Sequence, residues 1–391
     1  MYSNRFNKNI ETDDFYRFSK LSKEKEKVRK MSNEKILDLG IGDPSCLAPL
    51  NVREEIKENI DNDDYQGYSD NGIIEFRYKV SNHIGVSYKN VTHTMGTKSA
   101  LCILGFLYLD KNDYIITTSP GYGVLPNIAR WLKAKVYNVD LKEENDYEID
   151  FKSIPKSILK RTKLMYLNYP NNPTGKIATK ELYLEALKLA KKYNFMVIND
   201  NAYGDLIFDK SEYVNFKDVE GFFENGIELY SFSKGYNMTG YRIGYILSNE
   251  RVIKAFQNLK DNFDSGQFIP IQLGAMKALD NYKFLDNNKN KYLNRQIRLH
   301  EILTKYGFKY NLPKAGFFAY CKIPNKVDDI NMNNAYKFSM YLLKKYKIMT
   351  IPYENYNSVR FSLTFKEDDN FFFKELDDRL SKIKFEFYGS E

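Results

Sequence analysis

An α/β fold in two lobes is expected from three observations. Between residues 90 and 250, short apolar runs alternate with helical patterns, which predicts a large domain whose mostly parallel sheet is covered by helices. After about residue 265 the alternation gives way to long helical stretches with a few short strands, the pattern of a smaller α+β domain. The chain of 391 residues, 43% of them hydrophobic, is long enough for more than one core. We therefore divide it into an N-terminal segment packing on the small domain (1–45), a large domain (46–270) and a small C-terminal domain (271–391).

The elements follow in order. A helix is expected around Phe18 to Met31. Val91 to Met95 reads as a strand and Lys98 to Leu109 as an apolar helix. Asp113 to Ser119 is a second strand, Val124 to Lys133 a helix and Lys135 to Leu141 a third strand. Lys163 to Tyr169 is a strand, and Thr179 opens a helix to about Lys192 with Leu182, Ala186, Leu189 and Ala190 on one face. Phe195 to Asn199, Ile227 to Tyr230 and Tyr241 to Leu247 are further strands. One long helical stretch is expected over Ile271 to Tyr306, then a strand near Gly316 to Lys322 and a helix near Asn333 to Tyr346. Ile348 to Tyr353, Ser358 to Phe365 and a last helix from Asp368 complete the chain. In such a sheet, ligands bind beyond the carboxyl ends of the strands.

Composition removes several classes of function. No apolar run approaches the ~18 residues of a membrane span, and the first residues lack the apolar core of a signal peptide, so a cytoplasmic protein is expected. Cys46, Cys102 and Cys321 are far apart without metal-type spacing, which argues against a disulfide framework and a metal site. The net charge is +8, but basic and acidic residues are interspersed, and the densest basic stretch, Lys20 to Lys30, is broken by Glu24 and Glu26. That reads as a solvated helix face, and no nucleic-acid partner is expected. With three histidines, His83, His93 and His300, the chemistry is expected from lysine, tyrosine, aspartate and arginine.

The most informative segment is residues 231 to 247. Lys234 stands in a loop of small and polar residues, with Ser231 before it and Arg242 after it, between Gly240 and Gly244. An amine presented in this way can bond covalently to an aldehyde cofactor while Ser231 and Arg242 grip that cofactor's phosphate. Gly96-Thr97-Lys98 lies between a strand and a helix, where backbone amides and the helix dipole favour phosphate; Thr97 and Lys98 are the candidate phosphate-loop residues. Asp200 directly follows a buried strand, and a carboxylate there calls for a cationic partner.

Taken together, these segments resemble the class I/II aminotransferases, which bind pyridoxal 5′-phosphate on the fold type I scaffold. The resemblance runs from about Asp38 to Thr364. Residues 168 to 175, Asn-Tyr-Pro-Asn-Asn-Pro-Thr-Gly, match the family's Asn-Pro-Thr-Gly element; by that resemblance Asn172 donates to the cofactor's ring oxygen and borders the substrate. Asp200 would keep the pyridine nitrogen protonated, Tyr203 would bond the ring oxygen, and Tyr122, in Ser119-Pro-Gly-Tyr122, would stack on the ring. Lys234 would be the Schiff base lysine and the proton carrier. Arg360, in Ser358-Val-Arg-Phe-Ser, matches the arginine that clamps the substrate carboxylate, for which its planar fork is suited. Gly42 lies in an element near the substrate. Tyr68 corresponds to the tyrosine that reaches the phosphate of the neighbouring subunit, which implies a homodimer with shared active sites.

Some details are similar to the LL-diaminopimelate aminotransferase group: residues 167 to 176, 199 to 203, 233 to 239 and 262 to 266, with Tyr16 where that group places a substrate tyrosine. Lys98 is then a candidate for the distal end of the substrate as well. The expected activity is transfer of an amino group between a dicarboxylic amino acid, like LL-diaminopimelate, and 2-oxoglutarate. An aspartate, alanine or aromatic aminotransferase, a β-lyase on the same fold, and a metabolite-sensing domain without chemistry are the alternatives.

Overall fold

A computed structural model of the protein describes residues 17–44 and 46–388. Among these, the chain divides into two units, one formed by Cys46–Asn172 and Lys176–Lys289, the other by residues 17–44, Pro173–Gly175 and residues 290–388.

The first unit is built on seven strands: β1 (Val91–Thr94), β2 (Tyr114–Ser119), β3 (Lys135–Asp140), β4 (Thr162–Leu167), β5 (Met196–Asn201), β6 (Gly226–Ser231) and β7 (Gly244–Leu247). Their order across the sheet is β1-β7-β6-β5-β4-β2-β3. Strands β2 to β6 pair in parallel, and β7 runs antiparallel to both β6 and β1. The fold class is thus the expected one. Parallel neighbours need helical crossovers, which bury both faces of the sheet. Alternation along β5 sends Val197 to a cluster with Met165, Leu167 and Tyr245 on one face. Ile198 goes to a cluster with Leu164, Tyr166 and Leu229 on the other.

The crossover helix Lys180–Tyr193 shows how local chemistry sets an element. The Thr179 hydroxyl accepts from the Leu182 amide at 3.2 Å, Leu182, Ala186 and Ala190 are buried, and Asn194 ends the helix in the left-handed conformation at φ 61°. Each is a standard start or stop device.

Two expectations are corrected. The helical stretch over 271 to 306 is two helices, Ile269–Ala278 and Tyr282–Lys305. Asn281 starts the second by accepting from the Phe284 amide at 3.2 Å, so a residue inside the apparent periodicity acts as a cap. The strand read from Tyr241 begins only at Gly244, because Thr239–Tyr241 is a 3-10 turn and Arg242 is left-handed at φ 58°, a conformation that cannot continue a strand.

The second unit holds helix Arg17–Met31 and the antiparallel strands β8 (Phe318–Lys322), β9 (Ile351–Tyr353) and β10 (Ser358–Ser362), ordered β9-β10-β8. Every residue of the central strand β10 is buried. Helices Ala335–Tyr346 and Asp369–Leu380 are opened by the side chains of Asn334 and Asp368. Among the described residues, no helix is long and apolar enough to cross a membrane.

Candidate active site

Asp200 lies near the carboxyl end of β5, and the strand's alternation turns it toward the face that carries Tyr166. It is 2% exposed. The Tyr166 hydroxyl donates to its Oδ2 at 3.1 Å, whereas Oδ1 is buried with no hydrogen-bond partner. Burial pushes this carboxyl up to about 6, against the pull of the Tyr166 and Thr97 hydroxyls and the charge of Lys234. A buried carboxylate atom with nothing to accept from is costly, so the position calls for a donor bearing positive charge.

Beside it, an asparagine network sets the loop after β4. Asn168 Nδ2 donates to the Asp200 carbonyl at 2.8 Å, and Asn168 Oδ1 accepts from the Asn172 amide at 3.1 Å. Asn199 exchanges two further bonds with the backbone of Tyr169. These bonds cross from β4 to β5 and hold Asn172, itself 8% exposed, in one register with Asp200. Tyr203 is buried in the turn that follows β5.

An anion cradle forms where helix Gly96–Tyr108 begins. Its cap position, Met95, makes no side-chain capping bond, and the dipole and amides of a helix's first turn, here beginning at Gly96 and Thr97, favour an anion. The guanidinium of Arg242 lies across this end: Nη2 donates to the Met95 carbonyl at 3.2 Å and Nη1 to the Thr239 carbonyl at 2.8 Å. Only glycine allows that approach, since a Cβ on Gly96 would stand 2.8 Å from Arg242 Nη2, and Gly96 is left-handed at φ 75°.

Lys234 sits in the short helix Phe232–Gly235 directly after β6, which Ser231 opens by accepting from the Ser233 amide at 3.1 Å. Asn288 Nδ2 donates to the Gly235 carbonyl at 2.8 Å and holds the turn from outside. Tyr122, in the loop after β2, packs against the same cluster as Tyr166.

In the second unit, Arg360 is 1% exposed. Its Nη2 donates to the Gly40 carbonyl at 2.7 Å and its guanidinium lies 4.0 Å over the Phe318 ring. A Cβ on Gly42 would come within 2.8 Å of that same ring, so the glycine lets the ring stay under the arginine.

The first unit thus brings together Thr97, Asn172, Asp200, Tyr203, Ser231, Lys234 and Arg242 at one end of its sheet, on strand ends, helix starts and loops, with Tyr122 and the exposed Lys98 in the adjoining loop and helix. Gly42 and Arg360 are neighbours in the second unit. Tyr68 is 87% exposed and joins no cluster among the described residues. Tyr16 lies outside the described residues. Sequence reasoning missed Tyr166, Asn168, Asn199 and Asn288. Alternation puts Tyr166 on the same face of its strand as Leu164, but only the pairing of β4 with β5 brings that face to Asp200.

Pyridoxal phosphate fits these residues. The partnerless Oδ1 of Asp200 suits a protonated ring nitrogen, and the Gly96 cradle with Arg242 suits a phosphate.

Residues 34–370 match the family described as aminotransferase class I and II. The LL-diaminopimelate aminotransferase of Methanocaldococcus jannaschii is 38% identical over 88% of this chain and 84% of its own. That of Methanococcus maripaludis is 32% identical over 96% and 95%. The substrate-bound structure of BacF from Bacillus subtilis superposes with a TM-score of 0.91 at 29% identity, covering 100% of both chains.

Proposed function

Because the chain belongs to the class I and II aminotransferases, and is therefore a pyridoxal-phosphate-dependent transaminase, we propose that it moves an amino group from a dicarboxylic amino acid, LL-diaminopimelate foremost, to 2-oxoglutarate. The observation that carries this reading of the site is the buried Asp200, with one oxygen lacking a partner and the charge of Lys234 acting on it. The named activity of relatives up to 38% identical supports the substrate.

When bound, the cofactor supplies an electrophilic carbon that captures amines and a ring that draws electrons from the substrate's α-carbon. In this reading Lys234 Nζ would hold the cofactor and would move the α-proton as base and acid in turn. Asp200 holds a proton on the ring nitrogen, and Tyr166 holds Asp200. Asn172 and Tyr203 donate to the ring oxygen, while Tyr122 covers the ring face. Thr97, Lys98, Ser231 and Arg242 take the phosphate. Arg360, beside Gly42, takes the substrate's α-carboxylate by a bidentate contact. Tyr16 and Lys98 address the far end of the substrate. Tyr68, exposed in this chain, is assigned to the partner's phosphate in a homodimer.

The test is kcat/KM for LL-diaminopimelate, glutamate, aspartate, alanine and phenylalanine with 2-oxoglutarate, combined with borohydride reduction and peptide mapping. LL-diaminopimelate should lead, and the label should fall on Lys234. Alanine or phenylalanine in the lead overturns the substrate assignment, and a label on another lysine overturns the anchor.

A further inference from the structure

Behind the strand that carries Asp200, the first unit contains a second cavity, of about 270 Å³. Alternation along β5 turns Asp200 to one face and Asn201 to the other, and Asn201, Asp205, Tyr213, Glu228, Tyr230 and Tyr245 all line this space. None of them has a part in the amino transfer described above.

The cavity presents acceptors. Asn201, 5% exposed, uses its amide nitrogen twice, donating to Glu228 Oε1 at 2.9 Å and to the Tyr213 hydroxyl at 3.0 Å. Its Oδ1 is buried with no partner, so what is missing is a donor. Glu228 is 7% exposed, and Asp205 accepts from the Tyr230 hydroxyl. The rings of Tyr230 and Tyr245 stack at 4.6 Å and 18° to form an aromatic wall. The basic groups nearby are Lys217, which pairs with Asp218 at 2.5 Å and whose charge also acts on Glu228, the exposed Lys210, whose charge acts on Asp205, and His83 on the rim.

We propose that this cavity binds a small ammonium ion. An ammonium group supplies N–H donors to the Asn201 oxygen and charge to the two carboxyls, and the tyrosine wall favours a cation over a neutral donor. An anion would meet Asp205 and Glu228. The volume exceeds the ~30 Å³ share of one water several-fold, which leaves room for alkyl groups on the nitrogen.

The probe is dimethylammonium chloride, because a secondary amine cannot form a neutral imine with the cofactor's aldehyde, so binding here is separated from capture at Lys234. Holoenzyme is titrated by calorimetry in sodium phosphate against sodium chloride of equal ionic strength. One saturable site per chain is expected. Glu228→Gln should weaken it about tenfold or more, with far-ultraviolet circular dichroism reporting the fold. Lys210→Gln, at an exposed position, should tighten binding roughly two- to fivefold at low salt and leave amino transfer unchanged. Should Glu228→Gln not fold, Lys210→Gln and Tyr213→Phe decide. No saturable binding to the wild type, equal affinity in the variants that fold, or equal competition by potassium chloride overturns the proposal.

Discussion

Replacing Gly96 by alanine should damage cofactor binding without dismantling the fold. Two costs arise at that position. Gly96 sits at φ 75°, where an L side chain costs roughly 1–2 kcal/mol. A Cβ there would also stand 2.8 Å from Arg242 Nη2, inside nonbonded contact, so the guanidinium must shift from its place at the helix end, and the largest effect expected is the loss of its contact with the phosphate. Losing one charge-assisted contact to a phosphate corresponds to about 1.5–3 kcal/mol, which is roughly 10- to 100-fold in affinity. Gly85 provides the control. It is also left-handed, at φ 71°, but nothing lies within 4 Å of its added Cβ. Gly85→Ala should therefore show the backbone cost in thermal stability and no change in affinity. The assay is titration of the apoprotein with pyridoxal phosphate, followed by cofactor absorbance, alongside thermal unfolding of both apo variants. Equal affinity of Gly96→Ala and Gly85→Ala for the cofactor would refute the cradle.

Further outcomes are expected from other positions. Tyr166→Phe removes the donor to Asp200 Oδ2; the Asp200 carboxyl should then titrate higher, and in the apoprotein its infrared-detected protonation should move upward in pH, while an unmoved transition would count against the contact. Gly42→Ala pushes on the Phe318 ring beneath Arg360, so KM for the amino acid should rise several-fold with cofactor affinity unchanged; the reverse pattern would separate Arg360 from the substrate. Burial raises Glu228 from 4.5 to about 7, so the folded state holds this proton more tightly than the unfolded chain. Its contribution to stability is full below pH 4.5 and is lost as pH rises through about 7, on the order of 3 kcal/mol. Glu228→Gln should flatten that part of the denaturation profile in amine-free buffer, and parallel profiles for the two proteins would exclude it.

The fold class was readable from the chain because it rests on local signals. Thr179, Asn194, Asn334 and Asp368 start or stop helices through bonds to residues within one turn, and the apolar runs of the first unit bury both faces of a mostly parallel sheet. The segments carrying Asn172, Tyr203 and Lys234 were likewise visible, since each follows an apolar strand, whereas Asp200, expected just after its strand, lies within the last residues of β5. Other features depend on which strands become neighbours. Tyr166 reaches Asp200 because β4 pairs with β5, with Tyr166 opposite Ile198, and a strand's own sequence does not state its register. The bonds of Asn168 and Asn199 across the same pair, the approach of Arg242 to Gly96, and the cavity between Asn201 and Glu228 have the same origin. The break at Leu279–Asn281 stayed hidden because hydrophobic periodicity continues across it, and a side-chain cap was enough to start a new helix. Residue types and their order thus determined which chemical groups were present and on which elements. Only the pairing of strands decided which of those groups face each other, because contacts between residues far apart in sequence form only when the sheet does.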